Sequence, residues 1–279
     1  MSPRAPHRSY LFVPGNRAER FDKALASGAD AVIVDLEDAV PADQKDAARG
    51  MVGAWLSAAR PVIVRINAAD TPWFADDVAL CRHEGVAAVM LAKSERVADL
   101  AAIGNGLALI PLIESAAGFD ALRALAAAPN VQRLAFGAID FQLDLNMRAS
   151  FDELLFFRSQ FVLGSKLANL AAPIDSPSTA IDDLAEVEAE AQRARRLGFG
   201  AKLCIHPRQV GAVNASFSPS AADVDWAERV IAAAAASQGA AVALDGTMID
   251  KPVILRAQRI LSEARGAALA ASRFGTGAL

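Results

Sequence analysis

Among its 279 residues the chain has two cysteines, Cys81 and Cys204, and three histidines. So few thiols exclude a disulfide framework and a four-ligand zinc cluster, and they suit a reducing compartment. Long apolar runs are missing too: none reaches the roughly 18 residues that a membrane span needs. The early run Tyr10–Val13 stops at Pro14-Gly15, too short for the core of a secretory signal, so a cytoplasmic protein with no membrane partner is expected. Basic charge is not in excess. Lys and Arg total 28 against 32 Asp and Glu, a net charge of −4 with both signs interspersed. Without a basic stripe, nucleic acid is not an expected partner. No Pro- or Ser-rich linker divides the chain, so 1–279 is expected to form a single domain.

What is abundant is apolar residues, at 53%, arranged in one recurring way. A short apolar run ends in a polar residue, and an Ala-rich amphipathic stretch follows. The runs are Ser9–Pro14, Ala31–Glu37, Pro61–Asn67, Ala88–Lys93, Leu107–Glu114, Leu134–Asp140, Ala172–Asp175 and Ala201–His206. Between them lie helical patterns, among them Ala18–Ser27, Ala42–Ala58, Ser115–Ala128 and Ile181–Leu197. Apolar runs without alternation are what strands buried on both faces look like. Eight of them, alternating with helices, predict a closed (β/α)8 TIM barrel, for which about 250 residues suffice. An open doubly wound sheet is the structural alternative. The seventh run, crowded by Pro173 and Pro177, is the weakest. Residues 221–279 add helices over Ala221–Ser237 and Pro252–Ala271. Between these, the segment Val242–Asp250 reads as a turn or lid, and a frayed tail is expected from Gly275.

In such a barrel the active site lies at the C-terminal ends of the strands. The polar residues closing the runs are therefore the candidates: Asp35, Glu37 and Asp38, Arg65 and Asn67, Lys93, Glu114, Asp140, Asp175 and His206. Acids ending separate strands converge and repel. A divalent cation resolves that conflict, and oxygen ligands without a Cys or His cluster favour Mg²⁺, held by Glu114 and Asp140 at the ends of adjacent runs. Any one strand-end acid is equally well a helix N-cap or half of an ion pair. Glu114 argues against that, because burying it unpaired after Leu109–Ile113 would be costly. The Arg65 fork can hold a substrate carboxylate, pair with Asp35 or Glu37, or do both. Lys93 does not suit a Schiff base, since the carboxylates around it would raise its pKa rather than depress it. His206 reads as a packing or backbone-orienting residue. Arg17 and Arg20, after a loop with a single glycine, face either an anionic ligand or solvent.

Seven motifs then line up in order. Arg8-Ser9-Tyr10-Leu11-Phe12-Val13-Pro14-Gly15-Asn16, Asp35-Leu36-Glu37-Asp38-Ala39-Val40 and Val64-Arg65-Ile66-Asn67 come first. Pro111-Leu112-Ile113-Glu114, Phe136-Gly137-Ala138-Ile139-Asp140, Lys202-Leu203-Cys204-Ile205-His206-Pro207 and Asp245-Gly246-Thr247-Met248-Ile249-Asp250 follow. Together they resemble the citrate lyase beta-subunit-like family within the HpcH/HpaI aldolase superfamily. The resemblance implies a barrel that is usually oligomeric, often a homotrimer. It implies Mg²⁺ on the residues matching Glu114 and Asp140, a substrate carboxylate on Arg65, and a CoA thioester contacted by Phe12 to Arg20 and by the backbone near Ile205 and His206. It also implies that Asp250 is a catalytic acid/base delivered from a neighbouring subunit. Two positions depart from relatives: Phe12, where some have Tyr, and Glu19, where some have Lys. Arg17 and Arg20 are then the local source of positive charge.

The activity expected from the resemblance is a carbon–carbon lyase acting on a 3-hydroxy-3-carboxyacyl-CoA of the citramalyl, citryl or malyl type. Arg65 fixes the carboxylate, and Asp250 protonates the thioester enolate left by bond cleavage. The hydroxyl proton passes to a water on the ion or to a network through Glu37. Two other readings share the metal site: a citrate lyase beta subunit working only with an acyl carrier protein, and a CoA-free 2-oxo acid aldolase.

Overall fold

The computed structural model describes residues 7–104, 106–236, 242–244 and 247–274. The chain divides into two compact units, one over His7–Asn214 and one from Ala215 onward.

The first unit is a closed barrel of eight parallel strands in sequential order. They are β1 (Ser9–Pro14), β2 (Ala31–Asp35), β3 (Val62–Ile66), β4 (Val86–Leu91), β5 (Leu109–Ile113), β6 (Ala135–Phe136), β7 (Ile174–Asp175) and β8 (Ala201–Cys204). Pairing of β1 with β8, Ser9 opposite Lys202, closes the ring and removes the edges that an open sheet would leave unpaired. Every expected run overlaps a strand, the fourth strand starting at Val86, two residues before its run. The seventh shrinks to Ile174–Asp175, since a proline on either side cannot donate to the ladder.

Helices cover the outside: α1 (Phe21–Leu25), α2 (Lys45–Trp55), α3 (Phe74–Leu80), α4 (Val97–Ile103), α5 (Ala116–Asp120), α6 (Leu122–Ala126), α7 (Ala138–Asp144), α8 (Leu155–Leu167), α9 (Leu184–Leu197) and α10 (Pro207–Ser216). Sequence chemistry sets several of their ends. The Ser115 hydroxyl accepts the Gly118 N–H to start α5, and the Asp183 carboxylate accepts the Glu186 N–H to start α9, each satisfying an otherwise orphaned donor. Gly198, at φ 112°, ends α9 in the left-handed conformation that glycine tolerates best.

Side chains alternate across each strand, and that alternation builds the site. Tyr10, Ile33, Ile63, Met90, Leu112, Ala135, Ile174 and Leu203 fill the barrel interior. Val32, Val34, Val64 and Val89, one residue out of phase, are buried on the helix side. Two positions beyond the interior residues come Phe12, Asp35, Arg65, Ala92, Glu114, Gly137, Ser176 and Ile205. They form the upper layer of the barrel, where polar groups replace the core. Asp175 is out of phase with this layer. It turns toward the helices instead, where Arg158 of α8 (2.9 Å) and Lys202 of β8 (3.0 Å) pair with it. Glu190 of α9 lies 3.2 Å from Lys202. Burial pushes the Asp175 pKa up, but those two cations outweigh it and hold the carboxyl below its ordinary value.

The second unit contains α11 (Ala221–Ala236), an antiparallel hairpin of β9 (Val242–Leu244) and β10 (Thr247–Ile249), and α12 (Lys251–Phe274). Ala227, Val230, Ile249, Ala257 and Ile260 make its own small core. The segment read from sequence as a turn or lid is thus a hairpin whose last strand contributes Ile249 to that core. Asp245 and the tail from Gly275 lie outside the described residues. No described helix is long and apolar enough to cross a membrane.

Candidate active site

Parallel pairing places Asp35 directly beside Arg65. Both are interior, so their side chains meet: Arg65 Nε and Nη2 donate to the two Asp35 carboxylate oxygens at 2.6 Å each. Arg65 Nη1 lies 3.0 Å from Glu37 Oε2, and the guanidinium stacks on the Phe12 ring with its carbon 4.7 Å from the centroid. Burial works against the Arg65 charge, yet Asp35, Glu37 and Glu114 together hold it firmly protonated. Of the two roles open to Arg65, the internal pair is present. One hydrogen on Nη1 and one on Nη2 remain for a ligand, since the fork carries five.

Glu37 closes a second contact. Lys93 Nζ donates to Glu37 Oε1 at 2.5 Å. Burial acts to lower the lysine pKa, but the hydrogen bond and charge of Glu37, with Asp38 and Glu114, raise it above its ordinary value. An amine held as ammonium is a poor Schiff-base nucleophile. Lys93 is also one of four non-glycine residues with positive φ among the described residues, at 47°. Its backbone N–H is donated to Glu114 Oε1 at 2.9 Å.

Glu114 is buried, and burial pushes its carboxyl pKa up to about 8. The Arg65 charge and the Lys93 N–H oppose that shift, while the Glu37 and Asp140 carboxylates add to it. Asp140 does not end a strand, as the sequence pattern suggested. After the two-residue β6 the chain turns at Gly137 into α7, and Asp140 occupies the first turn of that helix. There the helix dipole favours a negative charge. Asp140 is half-buried and close enough to act electrostatically on Glu114. Among the described residues, no hydrogen bond or ion pair from another side chain holds its carboxylate.

The other expected residues are engaged to different degrees. Arg17 and Arg20 are exposed beside Glu19, with Arg17 Nε 2.7 Å and Arg20 Nε 3.9 Å from the same oxygen. Such surface pairs are weak and leave both arginines free to turn toward an anion. Ile205 is exposed at the end of β8, and the ring of the half-buried His206 accepts the Arg208 N–H through Nδ1 at 3.2 Å. That bond fits the backbone-orienting role. Asp250 belongs to the second unit, is exposed, and caps α12 by accepting the Val253 N–H at 3.1 Å.

Several contributors were not singled out from sequence. Gln209, fully buried, accepts the N–H groups of Ile205 (2.9 Å) and His206 (3.2 Å). Its amide donates to the carbonyls of Ser178 and Ala180. Lys45 donates to the Leu36 and Glu37 carbonyls at 2.8 Å each, shaping the turn that carries Glu37. Burial lowers its pKa despite the carboxylates nearby. Asp77 accepts both the backbone and side-chain N–H of Asn67. Only the spacing of Gln209 behind His206-Pro207 offered any signal, and that signal is generic. A cleft of about 450 Å³ opens beside the cluster, walled by Asp38, Lys45, Asn67, Thr71, Trp73 and Lys93 among others.

Comparisons with known proteins agree with the barrel fold. The model of the HpcH/HpaI aldolase/citrate lyase family matches residues 8–207. A citrate lyase subunit beta-like protein of Deinococcus radiodurans is 38% identical over 281 residues, covering 94% of this chain and 98% of that protein. A (3S)-malyl-CoA thioesterase of Cereibacter sphaeroides is 35% identical over 280 residues, with 94% and 96% covered. The crystal structure of CitE from Mycobacterium tuberculosis in complex with magnesium, acetoacetate and coenzyme A superposes with a TM-score of 0.85 at 34% identity, covering 94% of this chain and 99% of that one. With the family match spanning residues 8–207 and the barrel shared with the solved relative, the chain belongs to the HpcH/HpaI aldolase/citrate lyase family.

Proposed function

We propose that this protein is a Mg²⁺-dependent lyase that cleaves a 3-hydroxy-3-carboxyacyl-CoA into a 2-oxo acid and an acyl-CoA. The observation that carries this reading is Glu114: a buried carboxyl, forced toward its neutral form, beside the unpaired carboxylate of Asp140. Two oxygen donors with a deficit of positive charge suit a hard divalent cation. Among the described residues no group of three His, Cys, Asp or Glu forms a metal cage, and Glu37 is engaged by Arg65 and Lys93. Mg²⁺ needs only one or two protein carboxylates and keeps sites for water and substrate. When bound, the ion supplies Lewis-acid polarisation of substrate oxygens.

The protein's own groups supply the rest. Arg65 directs its two remaining N–H bonds at the substrate carboxylate and fixes the scissile bond in one orientation. The Phe12 ring and the Ile205–His206 backbone face the thioester arm, with Arg17 and Arg20 near its anionic end. As the C–C bond breaks, the electron pair passes to the thioester as an enolate, and the hydroxyl proton leaves through the network containing Glu37. Asp250 protonates the enolate carbon. One of its oxygens caps α12, which leaves the other for the proton. A neighbouring subunit of a homotrimer is the source of that residue in this reading.

A second reading, thioester hydrolysis, is favoured by the 35% identity to the malyl-CoA thioesterase. One assay separates them. The purified protein is given citramalyl-, malyl- and citryl-CoA with Mg²⁺, then with excess chelator, with Glu114→Ala as control. Chelator-sensitive release of a 2-oxo acid together with acyl-CoA is expected. Free CoA with the intact hydroxy acid would replace the lyase by a thioesterase. Silence on all three CoA esters, with activity on a thioester of an acyl carrier protein, would make the chain a carrier-dependent subunit.

A further inference from the structure

Lys93 touches both halves of the candidate site through different atoms. Its backbone N–H is donated to Glu114 Oε1 at 2.9 Å, on the metal side. Its ammonium reaches Glu37 Oε1 at 2.5 Å, and the other Glu37 oxygen lies 3.0 Å from Arg65 Nη1. The backbone conformation of Lys93 sets where its side chain points relative to that N–H. At φ 47° the residue sits in the left-handed region, which is strained for a non-glycine residue and persists only where the surroundings impose it.

The charge arrangement explains why the ammonium matters. Asp35 and Glu37 are two carboxylates paired with the same Arg65 guanidinium, with the buried Glu114 close by, and the nearby Lys45 ammonium is spent on the Leu36 and Glu37 carbonyls. Asp35 is fixed by both oxygens, because it also accepts the N–H groups of Glu37 (2.9 Å) and Ala39 (3.2 Å). Glu37 accepts one backbone N–H, that of Asp38 at 2.9 Å, through the oxygen that faces Arg65, and it repels Glu114. Without a second cation it would draw Arg65 Nη1 toward itself, away from the mouth where a substrate carboxylate arrives. Lys93, walling the cleft with its side chain 44% exposed, is that cation.

We propose that Lys93 is a positioning residue with two separable tasks: its backbone orients the Glu114 carboxylate, and its ammonium restrains Glu37 so that Arg65 can serve the substrate carboxylate. The proposal rests on the lyase reading for the identity of the ligands, but it concerns binding and can be tested apart from turnover.

The experiment measures two affinities on the full-length protein: Mn²⁺, by electron paramagnetic resonance, and oxaloacetate as a probe 2-oxo acid, by calorimetry on the Mn²⁺-loaded protein. Lys93→Met keeps the backbone donor and removes the charge. It is expected to leave Mn²⁺ affinity within about threefold of wild type and to weaken oxaloacetate at least tenfold. Lys93→Arg, which restores a cation to Glu37, should recover most of that loss. In a Glu37→Gln background the Lys93→Met change should cost less than a further twofold, since the lysine acts through Glu37. Lys93→Gly, which relieves the left-handed strain and keeps the N–H, should behave as Lys93→Met in binding while melting at a higher temperature. Unchanged oxaloacetate affinity in Lys93→Met, or losses that multiply in the double variant, would overturn the proposal, as would a wild type that binds Mn²⁺ but no 2-oxo acid. A wild type that binds both ligands yet cleaves no thioester would overturn the lyase reading alone.

Discussion

Gly137 and Glu114 interlock: a Cβ added at residue 137 would lie 2.5 Å from Glu114 Oε2 and 2.6 Å from its Cβ. The two occupy neighbouring interior positions above β6 and β5, and the absent side chain of one provides the space for the other. Gly137→Ala is therefore expected to displace the Glu114 carboxylate, since real atoms do not approach so closely. Mg²⁺ affinity should fall about tenfold or more, with circular dichroism unchanged. Retained affinity in a folded Gly137→Ala protein would show that Glu114 is not held where the ion needs it.

Glu114 also sets a pH dependence. Its ordinary value is 4.5 and burial raises it to about 8 in the folded state. The folded protein thus prefers the neutral carboxyl. The stability that preference provides is intact below pH 4.5 and is lost progressively as pH rises toward 8. Glu114→Gln removes the titration. Without metal, the melting temperature of Glu114→Gln relative to wild type should climb between pH 5 and pH 8, and Mg²⁺ should close the gap by stabilising only the wild type. The shift produced by Mg²⁺ should itself grow over the same range, because the ion competes with a proton. A gap that is flat with pH would contradict the burial of an ionisable group there.

The Asp35–Arg65 pair carries more structure than the Glu37–Arg65 contact. Asp35 accepts from two guanidinium nitrogens and two backbone N–H groups, and asparagine offers a single acceptor oxygen. Removing one partner of a buried pair costs about 3–5 kcal/mol. Urea denaturation should show Asp35→Asn losing several times more stability than Glu37→Gln. Equal losses would mean that the pair is not the anchor of the β2–β3 mouth.

Asp250 separates structure from chemistry. Asparagine caps helices about as well as aspartate, so Asp250→Asn should melt within about 1 °C of wild type. It should still lose at least about a hundredfold in turnover, as expected for removal of a general acid. Asp250→Ala should lose the cap as well, about 1 kcal/mol. Full activity in Asp250→Asn would remove Asp250 from the reaction.

The barrel was legible in the chain because parallel strands buried on both faces leave uninterrupted apolar runs, and seven of the eight ended within a few residues of a candidate side chain. Glu114, Arg65 and Glu37 were legible for the same reason: polarity at the end of an apolar run marks the barrel mouth. Asp140 was found as a residue but not as an element. Run six looks apolar through Ile139, yet only Ala135–Phe136 pair as strand before the chain turns into α7. Asp175 misled in the opposite sense. It ends a run, but its phase turns it outward to Arg158 and Lys202.

What the sequence by itself determined is periodic and local: eight strands, their order, the helices between them, and the chemical types available at each strand end. The tertiary structure decided which of those groups face each other, because that depends on register between strands far apart in sequence. Asp35 meets Arg65 across 30 residues, and Lys93 reaches Glu37 across 56. The raised pKa of Glu114, the left-handed turn at Lys93 and the space left by Gly137 follow from that closure. Desolvation and close approach are properties of the packed barrel, and no single segment of chain carries them alone.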